Sequence, residues 1–149
     1  MSSPAKDRIT CHVLDTTAGK PAKGIRVRLE TSSTVSSSSS SSSPNPSSSS
    51  PHPPASFESL TDEDGRVKTW LPYSTATSSG EVPVYTLDDV LGAIKGPSRW
   101  TLRFDTEGYF GEANTFFPEA TVVFRVDEGQ QYHVPLLLSP YSYTTYRGS

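Results

Sequence analysis

The sequence predicts an all-β domain, a sandwich or barrel of about eight short strands. Three observations carry this. Short segments rich in β-branched and aromatic residues recur along the chain. Several of them alternate apolar and polar residues with the period of two that a half-buried strand requires. Gly, Pro, Asn and Asp punctuate them at turn spacing.

The elements follow in order. Ile9–Thr16 places Ile9, Cys11 and Val13 on one face and Thr10, His12 and Leu14 on the other. Thr17–Pro21 is a turn. In Ile25–Glu30 the apolar set is Ile25, Val27 and Leu29, with Arg26, Arg28 and Glu30 opposite, and these first two strands read as an antiparallel meander. From about Ser32 to Ser56 the chain is almost entirely Ser, Pro and Asn, with unbroken serine from Ser36 to Ser43. Such a tract has nothing to bury and reads as a disordered insertion. It leaves roughly 120 residues for one globular domain within 1–149. Phe57–Thr61 is a short strand, Asp62–Gly65 an Asp-Gly turn, and Arg66–Leu71 a strand closed by Pro72. Tyr73–Pro83 reads as a loop, and Tyr85–Ile94 has room for a helical turn. Trp100–Asp105, Thr121–Val126, Tyr132–Ser139 and Ser142–Tyr146 are strands, with a short helix in Glu107–Asn114 and a tight link at Pro140-Tyr141.

The net charge is −3 and no run of Lys or Arg stands out, so neither a nucleic acid nor a membrane is expected as a partner. A local basic pocket for a small anion stays compatible with that balance. The single cysteine, Cys11, has no partner for a disulfide and no CxxC spacing; in its strand it reads as a small buried hydrophobe. No apolar run approaches the ~18 residues that span a bilayer. The N-terminus lacks the apolar stretch of a secretory signal, and the C-terminal Arg-Gly-Ser is not a peroxisomal tripeptide. The expected location is cytoplasmic, a peroxisomal one being left without a signal.

Two histidines, His12 and His133, point off the core face of their strands. An imidazole there is free to exchange protons near neutrality, with a pKa of about 6.5; a surface or interface histidine satisfies the same pattern. Arg66, just after the Asp-Gly turn, offers a planar fork to a carboxylate or oxyanion, or is a solvated strand-edge charge. His52 lies inside the serine tract and carries no expected role. Asp62, Glu63 and Asp64 read as a solvated turn rather than a metal site. The last residues, Tyr146-Arg147-Gly148-Ser149, form either a frayed end or an ordered strand end with the chain's α-carboxylate beside Arg147. There is no G-x-S-x-G, Gly-rich phosphate loop or H-E-x-x-H.

Four stretches together resemble the transthyretin-like family. They are Ile9-Thr10-Cys11-His12-Val13-Leu14-Asp15 with Gly19, Pro21 and Ala22; Thr61-Asp62-Glu63-Asp64-Gly65-Arg66; and Leu102-Arg103-Phe104-Asp105-Thr106 with Tyr109-Phe110 and Phe116-Phe117-Pro118-Glu119. The fourth and most specific runs from Tyr132-His133-Val134-Pro135 to Tyr146-Arg147-Gly148-Ser149. The family holds a hormone carrier, transthyretin, and an enzyme, 5-hydroxyisourate hydrolase. The terminal Tyr-Arg-Gly-Ser is similar to the enzyme's ending, which the carrier lacks. Three departures stand out: the serine-rich insertion, a longer segment over Tyr73–Ser98, and Gln131 where many relatives carry a further histidine.

The resemblance implies a sandwich of two four-stranded sheets with one short helix, assembled as a homotetramer, a dimer of dimers. The active site would lie in a channel lined by the outer faces of the sheets. It implies hydrolysis of the cyclic amide C–N bond of 5-hydroxyisourate to OHCU, on the way from urate to allantoin. His12, Arg66 and His133 would be catalytic; Tyr146, Arg147, Gly148 and Ser149 would bind substrate; neither metal nor cofactor is expected. The competing expectation is a carrier that binds a small planar ligand in the same channel without chemistry.

Overall fold

The computed structural model describes residues 6–31, 55–73 and 86–148. The bulk of the expected insertion, 32–54, and the stretch 74–85 lie outside them, as does Ser149. The described residues form an all-β sandwich of two sheets.

The first sheet, sheet A, has β9 (Tyr132–Ser139) at its centre. β10 (Ser142–Thr145) pairs with it on one side and β1 (Ile9–Asp15) on the other. The β9–β10 hairpin is antiparallel, whereas β1 and β9 run parallel, with Thr10 opposite His133 and Leu14 opposite Leu137. The far edge of β1 is shared by two two-residue strands, β2 (Lys20–Pro21) and β5 (Arg66–Val67). Sheet A therefore counts five strands but is four positions wide. Sheet B runs β6 (Leu71–Tyr73), β4 (Ala55–Leu60), β3 (Arg26–Thr31), β7 (Ser98–Phe104), β8 (Ala120–Val126). Its fifth strand, β6, extends the implied four at one edge.

Period-two alternation places the core between the sheets. Ile9, Cys11 and Val13 face Val27, Leu29, Phe57, Trp100, Leu102 and Phe104, all fully buried. Their removal from water, at about 1.5–3 kcal/mol per large side chain, is the main force closing the sandwich. The polar edges inside it are satisfied: the Trp100 indole N–H donates to Ser98 Oγ at 2.8 Å, and the Trp70 indole N–H to the Ile9 carbonyl at 2.8 Å. Burial pushes the Cys11 thiol well above its usual range, so it stays an inert thiol.

Four expectations change. β1 and β3 are not a meander: β1 belongs to sheet A and β3 to sheet B. Between them the chain turns through β2 and through Gly24 at φ 80°, and the Gly24 amide donates to the Thr61 carbonyl. Ordered strand resumes at Ala55 rather than Phe57, because Thr31 and Ala55 close the β3–β4 hairpin. The single strand expected over Arg66–Leu71 is two strands in different sheets. Trp70 crosses between them, its amide bonded to Asp7 Oδ2 and its ring inserted under β1. Pro72 lies within β6, tolerated there because β6 is an edge.

Among the described residues two short α-helices and a 3-10 turn at Glu112–Asn114 complete the fold. α2 (Thr106–Phe110) occupies the helix position the resemblance implies, capped by Asp105, whose Oδ1 accepts from Gly108 N. Its Tyr109 hydroxyl donates to Asp15 Oδ2 at 2.8 Å and so ties the end of β7 to the end of β1. α1 (Leu87–Ala93) is a second helix in the longer segment before β7, with a capping box between Thr86 and Asp89.

Candidate active site

The outer face of sheet A is assembled by strand register. The parallel pairing of β1 with β9 sets Thr10 beside His133, and the antiparallel pairing of β1 with β5 sets His12 beside Arg66. The two imidazoles lie with ring centroids 6.3 Å apart, tilted by 37°. Three side chains separated by up to 121 positions in sequence thus meet on one surface.

The turn before Arg66 is built to put it there. Asp62 Oδ1 accepts from the Asp64 and Arg66 amides, both at 2.9 Å. Burial works to raise the Asp62 carboxyl, but these bonds, with Lys68 and Arg66 nearby, hold it below the usual carboxylate range. Gly65 adopts φ 75°, and a Cβ there would overlap the Val13 carbonyl oxygen. The turn can therefore press on β1, where the Val13 amide donates to the Gly65 carbonyl at 2.7 Å.

Both imidazoles are held by a second group. His12 Nε2 lies 2.9 Å from the Asp64 carbonyl oxygen. A carbonyl only accepts, so Nε2 carries the proton, and in neutral His12 the lone pair is on Nδ1. His133 Nδ1 lies 2.8 Å from Thr10 Oγ1. Desolvation lowers the His133 pKa below 6.5, and the positive charge of Arg66, with His12 and Lys6, lowers it further. His133 is therefore neutral at pH 7.

The C-terminal tail is ordered through Gly148. At the end of β10, Thr145 Oγ1 donates to the Pro135 carbonyl at 2.7 Å, and beyond it Gly148 N donates to the His133 carbonyl at 2.8 Å, so the tail continues along β9. A Cβ on Gly148 would come 2.9 Å from His133 Cδ2 and 3.1 Å from Pro135 Cγ. Only glycine lets the backbone lie this close to the ring. The Arg147 guanidinium sits 4.8 Å above the Tyr132 ring, and Tyr146 is exposed.

Beside His133 opens a cleft of about 410 Å³ lined by Lys6, Thr10, Arg66, Val67, Lys68 and His133. It has the size of a small-molecule site. Its walls carry three cations, and among the described residues neither Arg66 nor Lys6 forms an ion pair with a carboxylate. The arrangement offers a neutral base beside positive charge, suited to a small anion. Among the described residues no group of three His, Cys, Asp or Glu comes together as a metal site.

Of the expected residues, Arg66 and His133 line the cleft, while His12 and Gly148 lie beside them outside its lining. Arg147 lies over Tyr132, outside the cleft lining, and Ser149 is outside the described residues. Sequence reasoning missed Thr10, Lys6 and Lys68. Thr10 shares the parity of His12, and Lys68 that of Arg66, so the alternation itself held a signal for both. Lys6 precedes β1, where no pattern applies.

A family model described as "HIUase/Transthyretin family" matches residues 9–148. The "5-hydroxyisourate hydrolase" of Mus musculus is 38% identical over 144 residues, covering 95% of this chain and 94% of the relative. The "Probable 5-hydroxyisourate hydrolase" of Schizosaccharomyces pombe is 34% identical over 150 residues, covering 98% and 94%. Among solved structures, the 5-hydroxyisourate hydrolase of Klebsiella pneumoniae superposes with a TM-score of 0.56 over 96% of this chain and 100% of that one, at 22% identity, which speaks for the fold alone.

Proposed function

This chain belongs to the HIUase/transthyretin family, and we propose on that footing that it is a 5-hydroxyisourate hydrolase whose reaction centre is the cleft beside His133. The observation that carries the reading is the convergence of His12, His133 and Arg66 on one sheet face, with Gly148 packed against the His133 ring.

The chemistry needs a deprotonated water, a stabilised oxyanion and a protonated leaving nitrogen. One imidazole removes a proton from water as the oxygen bonds to the ring carbonyl carbon. Arg66 stabilises the charge that gathers on the carbonyl oxygen, in a cleft where that charge is worth more than in bulk water. The C–N bond then breaks, the proton passes to the leaving nitrogen, and the opened product carries a new carboxylate. The second imidazole hydrogen-bonds the substrate or carries that proton. The tail holds the wall: Gly148 supports His133, and Tyr146 and Arg147 bound the substrate beyond it.

The working unit in this reading is a homotetramer, a dimer of dimers. Support comes from the family and from two sheet edges, β8 and β10, that have no neighbouring strand among the described residues. Light scattering should give about four times the 16.1 kDa chain mass; a monomer at micromolar concentration would overturn this part.

The deciding experiment generates 5-hydroxyisourate from urate with urate oxidase and follows its ultraviolet absorbance. The protein should accelerate the decay in proportion to its concentration. Saturable binding with no acceleration would replace the enzyme with a carrier.

A further inference from the structure

We propose that Thr10 is a positioning residue for the reaction, fixing the tautomer of His133 so that its Nε2 bears the lone pair that takes the proton from water. The inference rests on the functional reading above and deepens it.

The argument is a hydrogen count. Thr10 Oγ1 lies within bonding distance of two partners, the Tyr132 carbonyl oxygen at 3.4 Å and His133 Nδ1 at 2.8 Å. The hydroxyl has one proton, and the carbonyl can only accept. Both contacts are hydrogen bonds at once in a single arrangement. Thr10 donates to Tyr132, and His133 Nδ1–H donates to Thr10. Neutral His133 then carries its lone pair on Nε2. Donation in the opposite sense would give up the Tyr132 contact and place a proton on Nε2, where it cannot act as base.

Geometry makes the device specific to this pair of strands. Thr10 and His133 are register partners in the parallel β1–β9 pairing, so backbone hydrogen bonds fix their separation. Gly148 closes the Cδ2 side of the ring and limits its rotation. His12 is held in the other tautomer by the Asp64 carbonyl, with Nε2 protonated. The two rings, 6.3 Å apart, thus have different assignments: His133 is the acceptor at Nε2, and His12 the donor whose partner is a backbone oxygen. A ring nitrogen's role is set by the bond its other nitrogen makes, and loss of such an orienting partner lowers turnover while leaving binding in place.

The test is Thr10→Val against Thr10→Ser in the full-length protein. Imidazole ¹⁵N shifts of histidine-labelled protein, with His133 assigned by His133→Gln, report the tautomer directly. In the wild type at a pH above 7, His133 should show Nδ1–H; in Thr10→Val the Nε2–H form should gain population, and Thr10→Ser should restore the wild-type spectrum. Thr10→Val should lower kcat at least about tenfold with KM little changed, and Thr10→Ser should recover it. A wild-type His133 in the Nε2–H form, or a Thr10→Val protein with unaltered spectrum and kcat, overturns the proposal. A loss in Thr10→Val that Thr10→Ser does not recover overturns it too, since packing would then be the cause. If the wild type fails to hydrolyse 5-hydroxyisourate, the functional reading falls, and the spectra still decide the tautomer.

Discussion

The outer faces of the two sheets use charge in different ways. On sheet B, Arg103 donates to Glu30 at 2.9 Å and to Glu119 at 2.8 Å, and Glu119 also accepts the Thr121 hydroxyl at 2.6 Å. Around Arg103 each charge has its counterpart within the fold, and the group is a solvated network. On sheet A, Lys6, Arg66 and Lys68 gather around a cleft that the neutral His133 imidazole also lines; the nearby carboxylate, Asp62, is engaged by backbone amides. A cation left without a carboxylate beside a concave surface is poised for an external anion. The contrast separates structural charge from functional charge without reference to any relative.

That contrast can be broken experimentally. The largest effect is expected on sheet A: His12→Ala, His133→Ala and Arg66→Ala should each lower turnover at least ~100-fold, measured as the rate of 5-hydroxyisourate decay. Wild-type rates in all three would remove the site. Gly148→Ala comes next. Its Cβ would meet the His133 ring, so activity should fall roughly tenfold or more through misplacement of the base, while the thermal midpoint stays near that of the wild type.

Lys6 gives a smaller, pH-dependent effect. Burial first, then Arg66, His12 and Lys6, depress the His133 pKa, so the protonated ring is disfavoured in the fold. The acid limb of the rate profile should therefore lie below pH 6.5. Folding stability should also decline as pH falls below about 6.5, because the unfolded chain then binds more protons than the native one. Lys6→Gln removes one repelling charge. It should move the acid limb upward, toward 6.5, and raise KM by about threefold. A limb that stays in place, measured from pH 5 to 9, would separate Lys6 from His133.

The smallest effect is expected on sheet B. Arg103→Ala breaks an exposed pair of ion contacts and should cost at most about 1 kcal/mol of stability by denaturant titration, with turnover unchanged. A catalytic defect there would erase the distinction between the two faces.

Much of this is legible in the sequence. The period of two in Ile9–Asp15 and Tyr132–Ser139 put His12 and His133 off the core, and the burial of alternate residues in β1 agrees with it. The Asp-Gly signature marked the turn ahead of Arg66, and Gly65 at φ 75° sits at that turn. These are local features, written in neighbouring residues, because side-chain direction in a strand and φ at a turn depend on the chain within a few positions.

What the tertiary structure decided is non-local. Nothing in the alternation says that β1 pairs in parallel with β9, 123 positions apart at Thr10 and His133, or that Arg66 and Leu71 part into different sheets. A pattern of period two fixes which face a residue takes, not which strand lies beside it, and a register shift of one residue would reverse every face. The Thr10–His133 bond, the cationic cleft and the docking of Gly148 all depend on that register. By sequence alone Tyr146-Arg147-Gly148-Ser149 was open between a frayed end and an ordered one; the hydrogen bond from Gly148 N to the His133 carbonyl, formed only once β9 and β10 have paired, orders the tail through Gly148.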